Sequence, residues 1–330
     1  MARTIVMGDP RYFSVRGGAN PHTRNLLGVR KKVDPQLARR QWHTMARVLL
    51  EHGAEVLVVD AHPELPGLVY PANAGFLYPL EGCAAAAKTF HLAHLLPTRA
   101  AEREVYRGFI QALGFRTAAI EHRFEGEADF FPAGRYMLFT YGRVERQRFV
   151  PALALPPWRR VYGFRSDAEA LNELRAIVPD REILPLELVL EAHYHGDTVL
   201  CSFGAEREFL LVYLEGLSAP SRDRLRDAFG NKLVELSQAD AAIYAANSFQ
   251  IEHEGRLFLF MPQGVSQELR RAVRERGVEV VTVDVSEFLA KGGGSIKCMI
   301  LDLGPGAEQP LSDEAATFRV ARSYRRLFGG

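Results

Sequence analysis

Residues Pro35–Asp60, PQLARRQWHTMARVLLEHGAEVLVVD, hold the unit from which the rest of the chain can be read. Ala38, Trp42, Met45, Ala46 and Leu49 follow one another at spacings of three and four, the stripe of a helix that packs one face on a neighbour. Gly53 stops that helix, and EVLVV is short, apolar and β-branched, the composition of a buried strand. The same sequence of helix, Gly or Pro stop, and strand recurs four more times. It appears as Arg99 to Leu113, Gly114 and RTAAIE; SDAEALNELRAIVPD and EILPLEL; PSRDRLRDAFGN and KLVELS; and SQELRRAVRERG and VEVVTVDV. Between these pairs lie further strand candidates: TIVMG, GFLYPL, RYMLFTY, TVLCSF, EFLLVYL and RLFLFMP. Five ββαβ-like modules predict an α/β protein built as a quasi-symmetric ring or fan of small sheets, against the alternative of one doubly wound parallel sheet. GDPRYF, after the first strand, lacks the glycine spacing of a dinucleotide loop or a P-loop, so nucleotide binding is not indicated.

The 330 residues carry 41 Lys and Arg against 40 Asp and Glu, a balance that disfavours nucleic acid or an anionic membrane as the main partner. MARTIVMGDPRYF has no signal-peptide pattern and nowhere do 18 apolar residues run together, so a cytoplasmic protein is expected. Cys83, Cys201 and Cys298 form neither a disulfide framework nor a paired metal motif, which favours a reducing compartment. The stretch GRVERQRFVPALALPPWRRV reads as a surface excursion. The C-terminal EAATFRVARSYRRLFGG, with Arg319, Arg322, Arg325 and Arg326, reads as a solvated helical face.

After each repeated strand the chain turns polar and presents one residue suited to chemistry or ligand contact: Asn73, Asp129, His195, Asn247 and Cys298, spaced 51 to 66 residues apart. Equivalent loops of a ring converge on one axis, which would bring these residues into one pocket. Asn247, in YAANSF, is expected to be a structural turn residue. Cys298 follows Gly292, Gly293 and Gly294, where backbone can approach a ligand closely, and stands beside Lys297, which would lower the thiol pKa. Cys201 and Cys83 read as packing residues. In EAHYHGDTVLCSF, His193, His195 and Asp197 alternate at an expected strand start and so share a face; a carboxylate there would orient or protonate the imidazole of a general acid. Further metal ligands at suitable spacing are lacking, and neither a metal nor an organic cofactor is expected. FEGEADFFPAG sets Glu125, Glu127 and Asp129 among Phe124, Phe130 and Phe131. Carboxylates among aromatic rings are costly unless paired, and a planar guanidinium accepts such pairing, so a cationic substrate is predicted.

Taken in order, GDPRYFSVRGGANP, VYPANAG, FEGEAD, YGFRSD, YHGD and GGGSIKCM resemble the amidinotransferase and arginine deiminase superfamily, the pentein proteins, and within it the dimethylarginine dimethylaminohydrolase-like and arginine dihydrolase-like branch. The resemblance implies a five-bladed pseudo-symmetric ββαβ propeller, with residues 1–330 as a single catalytic domain. It implies Cys298 as nucleophile, His195 as general acid and base, and Glu127, in preference to Glu125, with Asp129 as the carboxylates that grip the guanidinium. Arg165 would hold the substrate α-carboxylate, with Asn20, Asn73, Glu125 and Asp197 also in contact with substrate. The activity so implied is cysteine-dependent hydrolysis of the guanidino group of arginine or a methylarginine through a Cys-amidino intermediate, giving citrulline or ornithine. Amidinotransfer to an amine and a catalytically silent binding protein are the alternatives. The partner is a small guanidino molecule, and homo-oligomerisation is left open. The resemblance also implies departures: close relatives often carry aspartate at the position of Gly67 and a bulky apolar residue at Gly196, and deiminases commonly carry histidine at the position of Lys297, so substrate identity is less constrained than reaction type.

Overall fold

The computed structural model describes residues 2–16, 20–25, 27, 29–80, 87–145, 148–151, 158–305 and 312–329. The reading of Cys83 as a packing residue falls outside them. Each of the five helix and strand pairs expected from the sequence is present. Pro35–Glu51 precedes strand Glu55–Val59; Glu102–Ala112 precedes Arg116–Ala119; Ala170–Ile177 precedes Glu182–Glu187; Ala219–Phe229 precedes Leu233–Glu235; Gln267–Arg274 precedes Val278–Val283.

Among the described residues, five sheets of three strands share one plan: an antiparallel neighbour, a central strand, and a parallel neighbour reached through the helix. In the first, Arg3–Gly8 lies between Leu301–Pro305 and Glu55–Val59, so one sheet joins the two ends of the chain. In the second, Thr89–Leu92 lies between Gly75–Tyr78 and Arg116–Ala119. The third centres on Tyr136–Tyr141, between Phe130–Ala133 and Glu182–Glu187. The fourth centres on Phe209–Val212 and the fifth on Arg256–Pro262. A single doubly wound sheet is therefore not the architecture.

Local chemistry explains the elements. Asp34 accepts from the amides of Gln36 and Leu37 at the start of the first long helix, and Pro35 fills its first turn, where no amide is needed. That helix buries Ala38, Trp42, Met45, Ala46 and Leu49, the stripe expected from spacing. The core of each module is continuous with its neighbours: Trp42 and Met45 pack with Phe249, Phe260 and Phe288 from the fifth module.

The excursion after Gly142 includes an antiparallel hairpin, Arg148–Pro151 with Trp158–Val161. The C-terminal arginines are used differently from a solvated face. In helix Asp313–Arg322, Arg319 binds Glu55 and Thr4, and Arg322 pairs with Asp60; in the following turn, Tyr324 packs on Trp42. These contacts fasten the C-terminus to the edge of the first sheet, while Arg325 and Arg326 remain exposed. Among the described residues no helix is long and apolar enough to cross a membrane.

Candidate active site

The first strand of each sheet is entered through a tight turn, and these turns carry the residues expected to converge. Asn73 lies in the 3-10 turn Pro71–Ala74; Glu125, Glu127 and Asp129 span the turn Gly126–Ala128; His195 and Asp197 bracket the start of Gly196–Thr198; Cys298 lies in Lys297–Met299. Asn247 stands just ahead of strand Phe249–His253. Alternation on a strand is thus not what aligns His195 with Asp197, because strand Leu200–Phe203 begins later. His193 does not share their pocket: its ring packs on Tyr213 and Tyr244, and burial lowers its pKa to about 4.

Cys298 is 3% exposed. Its Sγ donates to Asp197 Oδ2 at 3.3 Å and accepts from Asn247 Nδ2 at 3.1 Å. Asn247 Oδ1 also accepts from the Cys298 amide at 3.1 Å, which fixes the orientation of the carboxamide and turns its NH2 towards sulfur. Asn247 is therefore more than a turn residue, and the regular spacing of the five loops was the signal that singled it out. Lys297 does not face the thiol. Its ammonium pairs with Glu127 Oε2 at 2.7 Å, and the thiol pKa is pushed well above its ordinary value, by burial and then by the Asp197 carboxylate. The expected Lys297-depressed thiol is corrected accordingly.

The preference for Glu127 over Glu125 as the catalytic carboxylate does not fit the geometry. His195 Nε2 lies 2.7 Å from Glu125 Oε2, whereas Glu127 turns to the other side and binds Lys297 and the Asp302 amide. Burial opposes ionisation of Glu125, but the His195 hydrogen bond and charge, with Arg99 and Arg165, hold its pKa at about 2. Burial also works against a charged His195, yet the Asp129, Glu125 and Asp197 carboxylates raise its pKa. Asp129 is a brace: its carboxylate accepts from Thr140, Ser166 and the Gly196 amide at 2.6, 2.6 and 2.9 Å, and burial raises its pKa. Gly196 leaves room for this arrangement, since a Cβ there would meet Thr140 Oγ1 at 2.1 Å.

Two buried carboxylate oxygens in the cluster, Glu125 Oε1 and Asp197 Oδ1, have no hydrogen-bond partner among the described residues. Burial raises Asp197 to about 6. Arg165 is buried, with its guanidinium 4.8 Å from the centre of the Tyr194 ring. Asn20 is taken up in bracing: its Oδ1 accepts from the His22 amide, while its Nδ2 donates to Gly292 O at 2.8 Å and Tyr194 Oη at 3.2 Å. Tyr194 and Tyr70 then clamp the glycine run, donating to Gly293 O and Phe288 O. Gly293 sits at φ 78°, and a Cβ on Gly292 or Gly294 would strike Tyr70 at 1.9 or 2.4 Å. The three glycines thus serve this close approach. Tyr70 was not anticipated, because nothing in its spacing marks it.

Cys201 is buried in its strand with a pKa of about 12, as burial dictates for a packing thiol. A cavity of about 400 Å3 opens beside the site, lined by Glu127, Lys297, Asp302 and Asp197 among others. Among the described residues no group of three or more His, Cys, Asp or Glu is placed to hold a metal ion.

Comparison with known proteins adds to this geometry. Residues 162–304 match the family model described as N,N dimethylarginine dimethylhydrolase, eukaryotic. Over 306 residues the chain is 29% identical to an N(G),N(G)-dimethylarginine dimethylaminohydrolase of Mycobacterium tuberculosis, covering 92% of this chain and 86% of the relative. It is 25% identical to the bifunctional arginine dihydrolase/ornithine cyclodeaminase AgrE of a Nostoc species, covering 94% of this chain but 38% of that protein. Among solved structures, the N-terminal domain of an ArgZ variant covalently bound to a reaction intermediate superposes with a TM-score of 0.75 at 23% identity, covering 91% of this chain and 97% of that one.

Proposed function

From the premise that the chain belongs to the amidinotransferase and arginine deiminase superfamily, in the dimethylarginine dimethylaminohydrolase-like and arginine dihydrolase-like branch, we propose that it hydrolyses the guanidino group of arginine or a methylarginine through Cys298. The observation that carries this reading is the pair of buried, unpartnered carboxylate oxygens on Glu125 and Asp197, grouped with a thiol and a histidine. A buried carboxylate without partners is costly, and a planar cation with paired N–H donors offsets that cost. The five sheets of one plan support a five-bladed pseudo-symmetric arrangement in which the turns face a common axis.

In the unliganded protein the thiol is protonated and bonded to Asp197. A guanidinium seated between Glu125 and Asp197 brings positive charge beside sulfur and lowers the thiol pKa, so that binding releases the thiol proton to solvent and generates the nucleophile. Asn247 Nδ2 donates to the developing thiolate. Sulfur adds to the guanidinium carbon, and protonated His195, held by Glu125, passes its proton to the departing nitrogen. Neutral His195 then takes a proton from water, which adds to the Cys-amidino carbon and releases the thiolate. Arg165, stacked on Tyr194, is the group for the substrate carboxylate.

Asn73 favours ornithine over citrulline as the product. Its Nδ2 points at Glu125 and His195, at 3.3 and 3.4 Å, so it presents a donor to a ureido oxygen where a carboxylate would repel it. Incubation with arginine, NG-methylarginine, asymmetric dimethylarginine and agmatine, with products identified by mass spectrometry, tests the whole reading. Conversion by the wild type and none by Cys298→Ser is expected. Full activity in that variant overturns the reading, and product formed only when an amine is added indicates transfer.

A further inference from the structure

The segment that carries Arg165 is tethered by a carboxylate that the reaction scheme does not use. Tyr162–Asp167 runs beside Gly142 and Arg143: the Gly142 amide donates to Ser166 O at 3.1 Å and the Phe164 amide to Arg143 O at 3.2 Å. The two amides ahead of Phe164 go elsewhere. Those of Tyr162 and Gly163 both donate to Glu191 Oε1, each at 3.0 Å. Gly163 sits at φ 69°, and a Cβ on it would lie 2.7 Å from the Glu145 amide nitrogen. Consecutive amides around such a residue can face one acceptor together. The carbonyl oxygens of the same two residues lie 3.5 Å from Arg165 Nη1. In the trans peptide between Tyr162 and Gly163 the N–H and C=O point in opposite directions, so the carboxylate that draws the amide to itself turns the carbonyl to Arg165.

We propose that Glu191 is a positioning residue for recognition of the substrate α-carboxylate, acting by fixing the two peptide units on which the Arg165 guanidinium leans. The inference rests on the reading of the site as a guanidino hydrolase in which Arg165 meets that carboxylate. Glu191 opens the 3-10 turn Glu191–His193, which leads directly into Tyr194 and His195. The Tyr194 ring lies 4.8 Å from the Arg165 guanidinium, and its hydroxyl is held by Gly293 O at 2.6 Å. One short stretch therefore supplies the tether for the arginine segment, the face against which the guanidinium rests, and the general acid. Tyr162 and Gly163 are buried, so their amides would be costly without an acceptor, and a carboxylate accepts stronger bonds than a neutral oxygen. Arg165 serves the end of the substrate remote from the guanidino carbon. Losing its placement weakens substrate and transition state alike, an effect that falls on KM. A guanidine without a carboxylate gives Arg165 nothing to hold and is indifferent to the change.

The test compares the wild type with Glu191→Ala and Glu191→Gln. Steady-state kinetics are measured on whichever of arginine, NG-methylarginine and asymmetric dimethylarginine the wild type converts. Binding of that amino acid and of agmatine is measured by calorimetry with Cys298→Ser added to each protein, so that nothing is turned over. Glu191→Ala is expected to raise KM and weaken amino-acid binding about 10- to 100-fold, the scale of a lost hydrogen bond to a charged group, with kcat within about threefold and agmatine affinity within about twofold. Glu191→Gln keeps an oxygen for the two amides and is expected to stay within about threefold of the wild type. Equal losses for the amino acid and agmatine overturn the proposal, because they mean a general loosening; so do an unchanged KM, a loss confined to kcat, or a Glu191→Gln as impaired as Glu191→Ala. Where agmatine binds too weakly to compare, the division between KM and kcat and the rescue by Glu191→Gln decide. If Glu191→Ala does not fold, Glu191→Asp, one methylene short of the amides, takes its place with the same outcomes. Should the wild type convert no guanidine and Cys298→Ser bind none, the functional reading falls and this inference with it; every other adverse result sinks the inference alone.

Discussion

Glu125 and Glu127 lie two residues apart around one 3-10 turn, both buried, and they face opposite sides of it. Glu125 meets His195 with one oxygen and leaves the other without a partner. Glu127 engages the Lys297 ammonium with one oxygen and the Asp302 amide with both, and Asp302 is in turn held by the fork of Arg3. The same division separates Cys298 from Lys297, adjacent in sequence: one is on the side with open carboxylate oxygens, the other on the rear-cavity side, paired with Glu127. Incomplete satisfaction marks the side suited to a ligand, and complete satisfaction marks the side that holds the turns in place.

That contrast can be broken most directly by matched substitutions. Glu125→Gln is expected to leave the fold intact and removes the hydrogen-bonded one of the carboxylates that, with Asp129 and Asp197, raise the His195 pKa; kcat is expected to fall about 10²- to 10⁴-fold, the span of general acid and base contributions. Glu127→Gln leaves Lys297 unpaired in a buried setting and is expected to cost about 3–5 kcal/mol of stability while kcat per folded molecule stays within a few-fold. Urea denaturation alongside steady-state kinetics separates the two. A Glu127→Gln enzyme that unfolds normally but loses turnover would reverse the assignment made from geometry.

A smaller effect sharpens the comparison at the sulfur. Asn247→Ala removes the one carboxamide that holds both the amide and the thiol of Cys298. A hydrogen bond to a charged group is worth about 1.5–3 kcal/mol, so the rate of substrate-promoted alkylation at Cys298 should drop about 10- to 150-fold. Alkylation of Cys201, buried without such a donor from Asn247, serves as the internal reference and is expected to stay negligible in both proteins.

The repeated helix and strand pairs were legible because burying one face of a helix on a sheet imposes a period on the sequence that survives in every module. Loop spacing was legible for the same reason: equal modules return the chain to equivalent turns. Among the strands absent from the expected set are Thr89–Leu92, Phe130–Ala133 and Phe249–His253. They are four or five residues long, and Phe130–Ala133 carries a proline, tolerated because its other edge has no strand partner. Which way a side chain points was the illegible part. In a 3-10 turn neighbours two apart can face opposite sides, so parity reasoning failed for His193 and His195, and adjacency failed for Lys297 and Cys298. The contacts of Arg99 gave no signal, because Gly67 and Asn73 are 32 and 26 residues away in sequence and are brought to it only by the fold.

The gentlest test is pH. Asp197 and Glu127 are both raised into the same range, to about 6 and about 7, by burial. Both are acids whose folded pKa exceeds the unfolded one, so each is protonated on the acid side of that value and charged above it. Of the two, only Asp197 lies on the side proposed for the guanidinium: below pH 6 its carboxyl is neutral and cannot offset a cation, so kcat/KM should fall about tenfold per pH unit. At higher pH the limit is His195, whose pKa is raised by its three carboxylate neighbours and whose proton the departing nitrogen requires. The wild-type acid limb alone does not say which carboxyl is responsible, whereas Glu127→Gln does. Retention of the limb in that variant assigns it to Asp197, and its disappearance would mean that the charge on the rear side of the turn governs the chemistry on the other.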